Sequence, residues 1–207
     1  MKLEDFKENK LISIIRGVSS KDVERIFQIL AEEGIKLIEV TLNTNNALEI
    51  IKNMRAVYDG HLFIGAGTVL NPHMAQSAID AGAQFLLTPT VNVETIKVAK
   101  GIPCITGALT PTEILTAYEH GSTLVKIFPA GTMGVSYLKD LQGPLPQIPT
   151  VPTGGINTTN AKSYLEAGAT ALGIGSSLVK SKPDYNEDDF QQLRSNTKQL
   201  LKGVGLR

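Results

Sequence analysis

The chain has 207 residues, with 20 Lys plus Arg balanced by 20 Asp plus Glu. That length suits one sizeable core rather than two full domains, and the charge balance gives no electrostatic draw to nucleic acid or an anionic membrane surface. A single cysteine, Cys104, permits no internal disulfide and fits a reducing compartment.

Met1 to Lys10 reads as a short, charged lead-in with no apolar signal segment. No apolar run reaches membrane-spanning length, so the expectation is a soluble cytoplasmic protein. The first strand is expected over Leu11 to Arg16, followed by a helix from Ser19 or Ser20 to Glu33 that Gly34 stops. Strand two spans Leu37 to Leu42, then a helix about Thr44 to Val57. Strand three, Leu62 to Ala66, leads into Gly67-Thr68. Asn71-Pro72 then caps and starts a helix that ends at Gly82. Phe85 to Thr88 is strand four, with a helix to Gly101. Cys104 lies in strand five, Pro103 to Thr106, where a buried inert thiol is expected. Thr110-Pro111-Thr112-Glu113 is a capping box that opens the next helix, which ends at Gly121. Leu124 to Pro129 holds strand six. A weaker helix is expected over Val135 to Leu141, strand seven over Thr150 to Thr153, and a helix capped by Asn157 or Thr158 that ends at Gly168. Strand eight is Ala171 to Ile174. The last helix starts near Asn186, with Glu187, Asp188 and Asp189 at the positive end of its dipole.

Gly34, Gly60, Gly82, Gly101, Gly121, Gly143 and Gly168 recur every 19 to 26 residues, each between a helical pattern and an apolar run. A repeated βα unit implies parallel pairing. Eight units favour a closed (β/α)8 TIM barrel of one α/β domain over residues 1–207.

Strand six carries Lys126 among apolar neighbours. Burying an ammonium is costly unless it is paired or neutralised. Two readings stand: half of an ion pair inside the barrel, or an amine made nucleophilic by desolvation. Glu39, late in strand two, is the partner in both. A buried pair is a poor stabiliser, which favours a chemical role. Alternation turns Leu124, Lys126 and Phe128 inward, and Leu37, Glu39 and Thr41 likewise. Val125, Ile127, Ile38 and Val40 then face the helices. Arg16 with Ile14, and Thr68 with Ala66, are expected to follow the same rule.

An amine and a carboxylate suit Schiff-base chemistry on a ketone. Arg16 could hold a substrate carboxylate with the Thr68 hydroxyl beside it; a rim salt bridge and a turn are the plainer alternatives. Thr153-Gly154-Gly155-Ile156-Asn157 leaves strand seven, and Gly173-Ile174-Gly175-Ser176-Ser177 leaves strand eight. Glycine-rich turns there suit a phosphate, although glycine pairs also serve tight turns. His61, His73 and His120 do not converge as metal ligands should, and no serine has a His and Asp set around it.

These stretches carry a resemblance. Ile15-Arg16-Gly17, Ile38 to Leu42, Gly65 to Leu70, Thr88-Pro89, Lys126 to Ala130, Thr153 to Ile156 and Gly175 to Ser177 together resemble the 2-keto-3-deoxy-6-phosphogluconate aldolase family, which includes 4-hydroxy-2-oxoglutarate aldolases. The resemblance spans nearly the whole chain. It implies a class I aldolase without a metal or other cofactor, usually a homotrimer, acting on a small keto acid. By it, Lys126 forms the Schiff base and Glu39 is the general acid/base. Arg16 and Thr68 hold the carboxylate end, Pro89 and Phe128 wall the site, and Gly154, Gly155, Ser176 and Ser177 bind the phosphate. The substrate is then a 2-keto-3-deoxy-6-phospho sugar acid, split to pyruvate and glyceraldehyde 3-phosphate, with 4-hydroxy-2-oxoglutarate a further candidate. Asn43 departs from the arginine many members place there and looks like the galactonate-specific relatives; it also suits a helix cap. The alternatives are a non-covalent phosphate-binding barrel isomerase or synthase, and a non-catalytic phosphosugar binder.

Overall fold

Short apolar runs without polar alternation form strands covered on both faces, and here they close on themselves. The computed structural model describes residues 1–206. In chain order the elements are α1 (Leu3–Asn9), β1 (Leu11–Ile15), α2 (Ser20–Glu33), β2 (Leu37–Thr41), α3 (Ala47–Val57), β3 (Phe63–Gly67), α4 (Pro72–Asp80), β4 (Leu86–Leu87) and α5 (Val93–Val98). They continue with β5 (Cys104–Ala108), α6 (Pro111–Glu119), β6 (Leu124–Ile127), α7 (Ala130–Gln142), β7 (Thr150–Pro152), α8 (Ala161–Glu166), β8 (Leu172–Ile174) and α9 (Glu187–Gly203). The strands form one parallel sheet of eight in the order β7-β6-β5-β4-β3-β2-β1-β8. The two ends meet where Thr153 bridges Gly173 in parallel and the Thr170 N–H donates to the Thr150 carbonyl at 2.9 Å. The fold is a (β/α)8 barrel in a single domain.

Alternation along the strands separates two apolar clusters. Ile12, Leu37, Phe85, Leu87, Ile105, Leu124 and Val151 fill the barrel with Phe6. Ile38, Val40, Val125, Ile127 and their neighbours pack outward against the helices, as expected. Ala66 belongs to that outer cluster, so the expectation that Ala66 and Thr68 share an inward face is corrected. Thr68 lies beyond β3, and its left-handed backbone (φ 57°) turns it into the site. Interior glycines make room for large neighbours. A Cβ on Gly65 would strike the Phe85 ring, and one on Gly67 would strike the Glu39 carboxylate.

The lead-in is a helix. α1 sits under the barrel, and its Phe6, fully buried, meets Phe85 edge-on at 5.6 Å between ring centroids. α3 begins after Asn46 (φ 58°), later than the expected Thr44, because Thr44 is held in the preceding turn by its hydroxyl. α7 starts directly after Pro129. Gly134 (φ 79°, ψ 169°) interrupts it, so the expected segment from Val135 is its second half. α8 starts at Ala161, since the Asn157 side chain accepts the Thr159 N–H at 2.9 Å in a turn instead of capping a helix. Among the described residues no helix is long and apolar enough to cross a membrane.

Candidate active site

A cleft of about 400 Å³ opens at the C-terminal ends of the strands, the end where barrel sites form. Arg16, Thr68, Pro89, Lys126, Phe128, Gly154, Gly155, Ser176 and Ser177 all line it. Asn43 does not; it is exposed in the turn after β2, and Asn46 takes the position before α3. His61 and His120 are exposed. Among the described residues no group of three or more His, Cys, Asp or Glu is placed to hold a metal ion.

Lys126 projects from β6 into this cleft and is 5% exposed. Its register neighbours are Gly107 and Val151. Gly107 has no side chain because the Thr88–Pro89 backbone crosses where a Cβ would stand. The Thr88 hydroxyl fastens that crossing. It donates to the Thr90 carbonyl at 2.7 Å and accepts the Gly107 N–H at 3.1 Å, which seats Pro89 as a wall. The Lys126 Nζ lies 5.2 Å from the Phe128 ring centroid, a cation–π distance.

Glu39 is fully buried in the same interior, and neither of its oxygens has a hydrogen-bond partner among the described residues. The sequence alternative of a stabilising ion pair therefore does not describe the site: Lys126 is near enough to act on Glu39 through its field, but no hydrogen bond joins them. Burial pushes the Glu39 carboxyl above the usual carboxylate range, against the opposing pull of Lys126 and Arg16. Burial likewise drives the Lys126 amine below the ordinary lysine range, helped by Arg16 and opposed by Glu39. Both groups are thus biased toward neutrality, an amine able to attack and a carboxylic acid able to give a proton.

Arg16 ends the β1 segment at the rim, its Nη2 donating to the Thr68 Oγ1 at 3.3 Å. Two buried threonines brace the backbone around it. The Thr41 hydroxyl donates to the Ile15 carbonyl at 3.3 Å and lies 3.1 Å from the Thr44 hydroxyl, which accepts the Gly17 N–H at 3.1 Å. The peptides on either side of Arg16 are fixed from β2. Sequence reasoning turned Thr41 inward but gave it no role and missed Thr44. The spacing Thr-x-x-Thr after Glu39 was the available signal. Thr153, named only as part of the turn after strand seven, lines the cleft too, and Val179 and Ser181 do so unannounced; Ser181 packs its hydroxyl into the space left by Gly17.

The glycine-rich turns leave β7 and β8, the latter paired with β1, and line the same cleft. Gly154 (φ 86°) and Gly155 (φ 78°) are both left-handed, a conformation that excludes ordinary side chains. A Cβ on Gly154 would lie 3.1 Å from the Phe128 ring. Gly175 to Val179 form a single turn, with the Leu178 and Val179 N–H groups both reaching the Gly175 carbonyl at 2.9 and 3.1 Å. The N–H groups of Ser176 and Ser177 have no protein acceptor among the described residues. The Ser177 hydroxyl donates to the Ile156 carbonyl at 2.6 Å, tying the two turns together.

A family model described as KDPG and KHG aldolase matches residues 3–195. The chain is 32% identical over 188 residues to a probable 2-dehydro-3-deoxy-6-phosphogalactonate aldolase of Rhizobium meliloti, covering 89% of this chain and 88% of that one. It is also 32% identical over 198 residues to a 2-dehydro-3-deoxy-phosphogluconate aldolase of Pseudomonas aeruginosa, covering 94% and 89%. Among solved structures it is similar to the KDPG aldolase from Legionella pneumophila with pyruvate captured at low pH as a covalent carbinolamine intermediate. That likeness has a TM-score of 0.80 and 28% identity, over 96% of this chain and 94% of that one.

Proposed function

The chain belongs to the KDPG and KHG aldolase family, whose members are carbon–carbon lyases, and we propose that it cleaves a 2-keto-3-deoxy-6-phospho sugar acid through a Schiff base on Lys126. One observation carries this reading above the rest: an amine buried in an apolar strand, held below its ordinary pKa, at the floor of the cleft beside an unpartnered carboxyl.

In the proposed sequence the Lys126 amine attacks the substrate ketone to give a carbinolamine. Loss of water, with the proton supplied by Glu39, gives the imine. The Glu39 carboxylate, directly or through a water, then takes the proton of the C4 hydroxyl. The C3–C4 bond breaks, its electron pair moves into the imine as an enamine, and glyceraldehyde 3-phosphate leaves. Protonation at C3 and hydrolysis of the imine release pyruvate and regenerate the amine. Arg16 and Thr68 hold the carboxylate end, with Pro89 and Phe128 as walls. Gly154, Gly155, Ser176 and Ser177 hold the phosphate through backbone N–H groups and hydroxyls. The same chemistry on 4-hydroxy-2-oxoglutarate gives pyruvate and glyoxylate. No metal or other cofactor enters any step.

Asn43 is proposed to act from the rim on the choice between gluconate and galactonate epimers. The assembly is proposed to be a cytoplasmic homotrimer. The reading is tested by following pyruvate release from both phosphorylated epimers with wild type and Lys126→Ala. Wild type should turn over at least one epimer and the variant neither, with the fold intact by circular dichroism. A variant that cleaved at wild-type rate would overturn it.

A further inference from the structure

The turn after β7 has an unusual pattern of fixed carbonyls. The Thr153 carbonyl accepts the Ala130 N–H at 2.8 Å, and the Gly154 carbonyl accepts the Gly131 N–H at 2.7 Å. The Gly155 carbonyl accepts the Asn160 Nδ2 at 2.9 Å. Asn160 is itself oriented, since its Oδ1 accepts the Asn157 N–H at 2.9 Å. A trans peptide is planar, with its C=O and N–H pointing opposite ways. Fixing the Gly154 and Gly155 carbonyls toward α7 and the start of α8 therefore turns the N–H groups of Gly155 and Ile156 away from them. Both residues line the cleft, and neither N–H has a protein acceptor among the described residues. Successive N–H groups in a turn of this kind form a concavity that suits an anion.

We propose that Asn160 and Gly131 are positioning residues. They hold the Gly154–Gly155 turn with its N–H groups facing the cleft, and through that geometry they set the preference for a phosphorylated over a phosphate-free keto acid. Neither lines the cleft. Gly131 acts by approach as well as by its N–H: a Cβ there would lie 2.9 Å from both the Gly154 carbonyl oxygen and the Gly155 Cα. The frame behind it is tied to α8, where the deeply buried Tyr164 hydroxyl donates to the Ala130 carbonyl at 2.9 Å. This inference rests on the proposed phosphate role of the turn.

The test compares wild type, Asn160→Asp and Gly131→Ala on two substrates with the same carbon skeleton, the phosphorylated sugar acid and its phosphate-free counterpart, with inorganic phosphate as a competitive inhibitor. Asp keeps the size of Asn and the acceptor for the Asn157 N–H but removes the nearer donor to Gly155, leaving the Asn157 Nδ2 at 3.5 Å; it also adds a charge, so the uncharged Gly131→Ala must show the same pattern. Gly131 is exposed and has a negative φ, so Ala there challenges the turn and not the fold. The expected result is a rise of about tenfold or more in KM for the phosphorylated substrate and in the inhibition constant of phosphate, the size expected for losing a hydrogen bond to a charged group. kcat should hold, and kcat/KM for the phosphate-free substrate should stay within about twofold. Equal losses on both substrates, or an unchanged phosphate inhibition constant, would overturn the positioning role while leaving the phosphate reading in place. A wild type that neither prefers the phosphorylated substrate nor responds to inorganic phosphate would remove that reading, and this inference with it.

Discussion

Glu39 and Lys126 share one interior, and burial shifts them in opposite directions. The Glu39 carboxyl titrates above its ordinary 4.5, so between that value and its folded pKa the native state holds more protons than the unfolded chain. Stability from this group is present at low pH and falls as pH rises through the window. Lys126 titrates below its ordinary 10.5, so between its folded pKa and that value the unfolded chain binds more protons, and stability rises with pH there. Glu39→Gln should remove the first effect. Melting temperatures from about pH 4 to about pH 8 should show the stability of wild type relative to the variant declining with pH; parallel curves would mean that Glu39 titrates normally. The same substitution should lower kcat by roughly 10² to 10⁴-fold, the contribution of a general acid/base group. A near-normal kcat would pass the proton role to water or another group. Both residues were legible in the sequence because a charge inside an apolar run is anomalous at any level of reading. Thr44 and Ser181 were not, because a threonine or serine in a turn has too many ordinary uses.

At the scale of elements, the strands were readable and the turns between them less so. Strand periodicity placed Glu39 and Lys126 inward, where the structure has them, since a strand continues its alternation until something breaks it. Thr68 lay beyond that reach. Its side is decided by a positive φ after the strand has ended, and no periodicity survives such a turn. The interior glycines of β3 and β5 carry a related lesson. Gly67 is small because the Glu39 carboxylate occupies the position of its Cβ, and Gly107 because the β4 end crosses it. Overpacking a filled interior costs about 1 to 3 kcal/mol. Gly107→Ala should lose stability of that order in urea unfolding and also lower activity, by displacing Pro89. A variant as stable and active as wild type would show that β4 can retreat at no cost.

At the scale of the molecule, the barrel was legible from the recurrence of glycine between helical and apolar segments. The helix α1 was not, because seven residues with few apolar side chains carry little periodic signal. Its role is set by tertiary contact: Phe6 enters the barrel from the end opposite the cleft and packs on Phe85. Phe6→Ala should cost about 3 to 5 kcal/mol in chemical denaturation while leaving KM unchanged in whatever fraction stays folded. A raised KM at full folding would mean that the plug also shapes the site. The turns proposed to hold the phosphate were visible as glycine pairs at the last two strands, but the carbonyl contacts that orient them depend on Ala130, Gly131 and Asn160, brought together only by the closed barrel.

The proposed covalent role of Lys126 is tested most directly by borohydride reduction in the presence of pyruvate, read by intact mass and peptide mapping. The account predicts one reduced pyruvate adduct per chain, on Lys126, absent from Lys126→Ala. An unmodified chain, under conditions that label a control aldolase of the same class, would contradict it and leave Lys126 acting without a covalent intermediate.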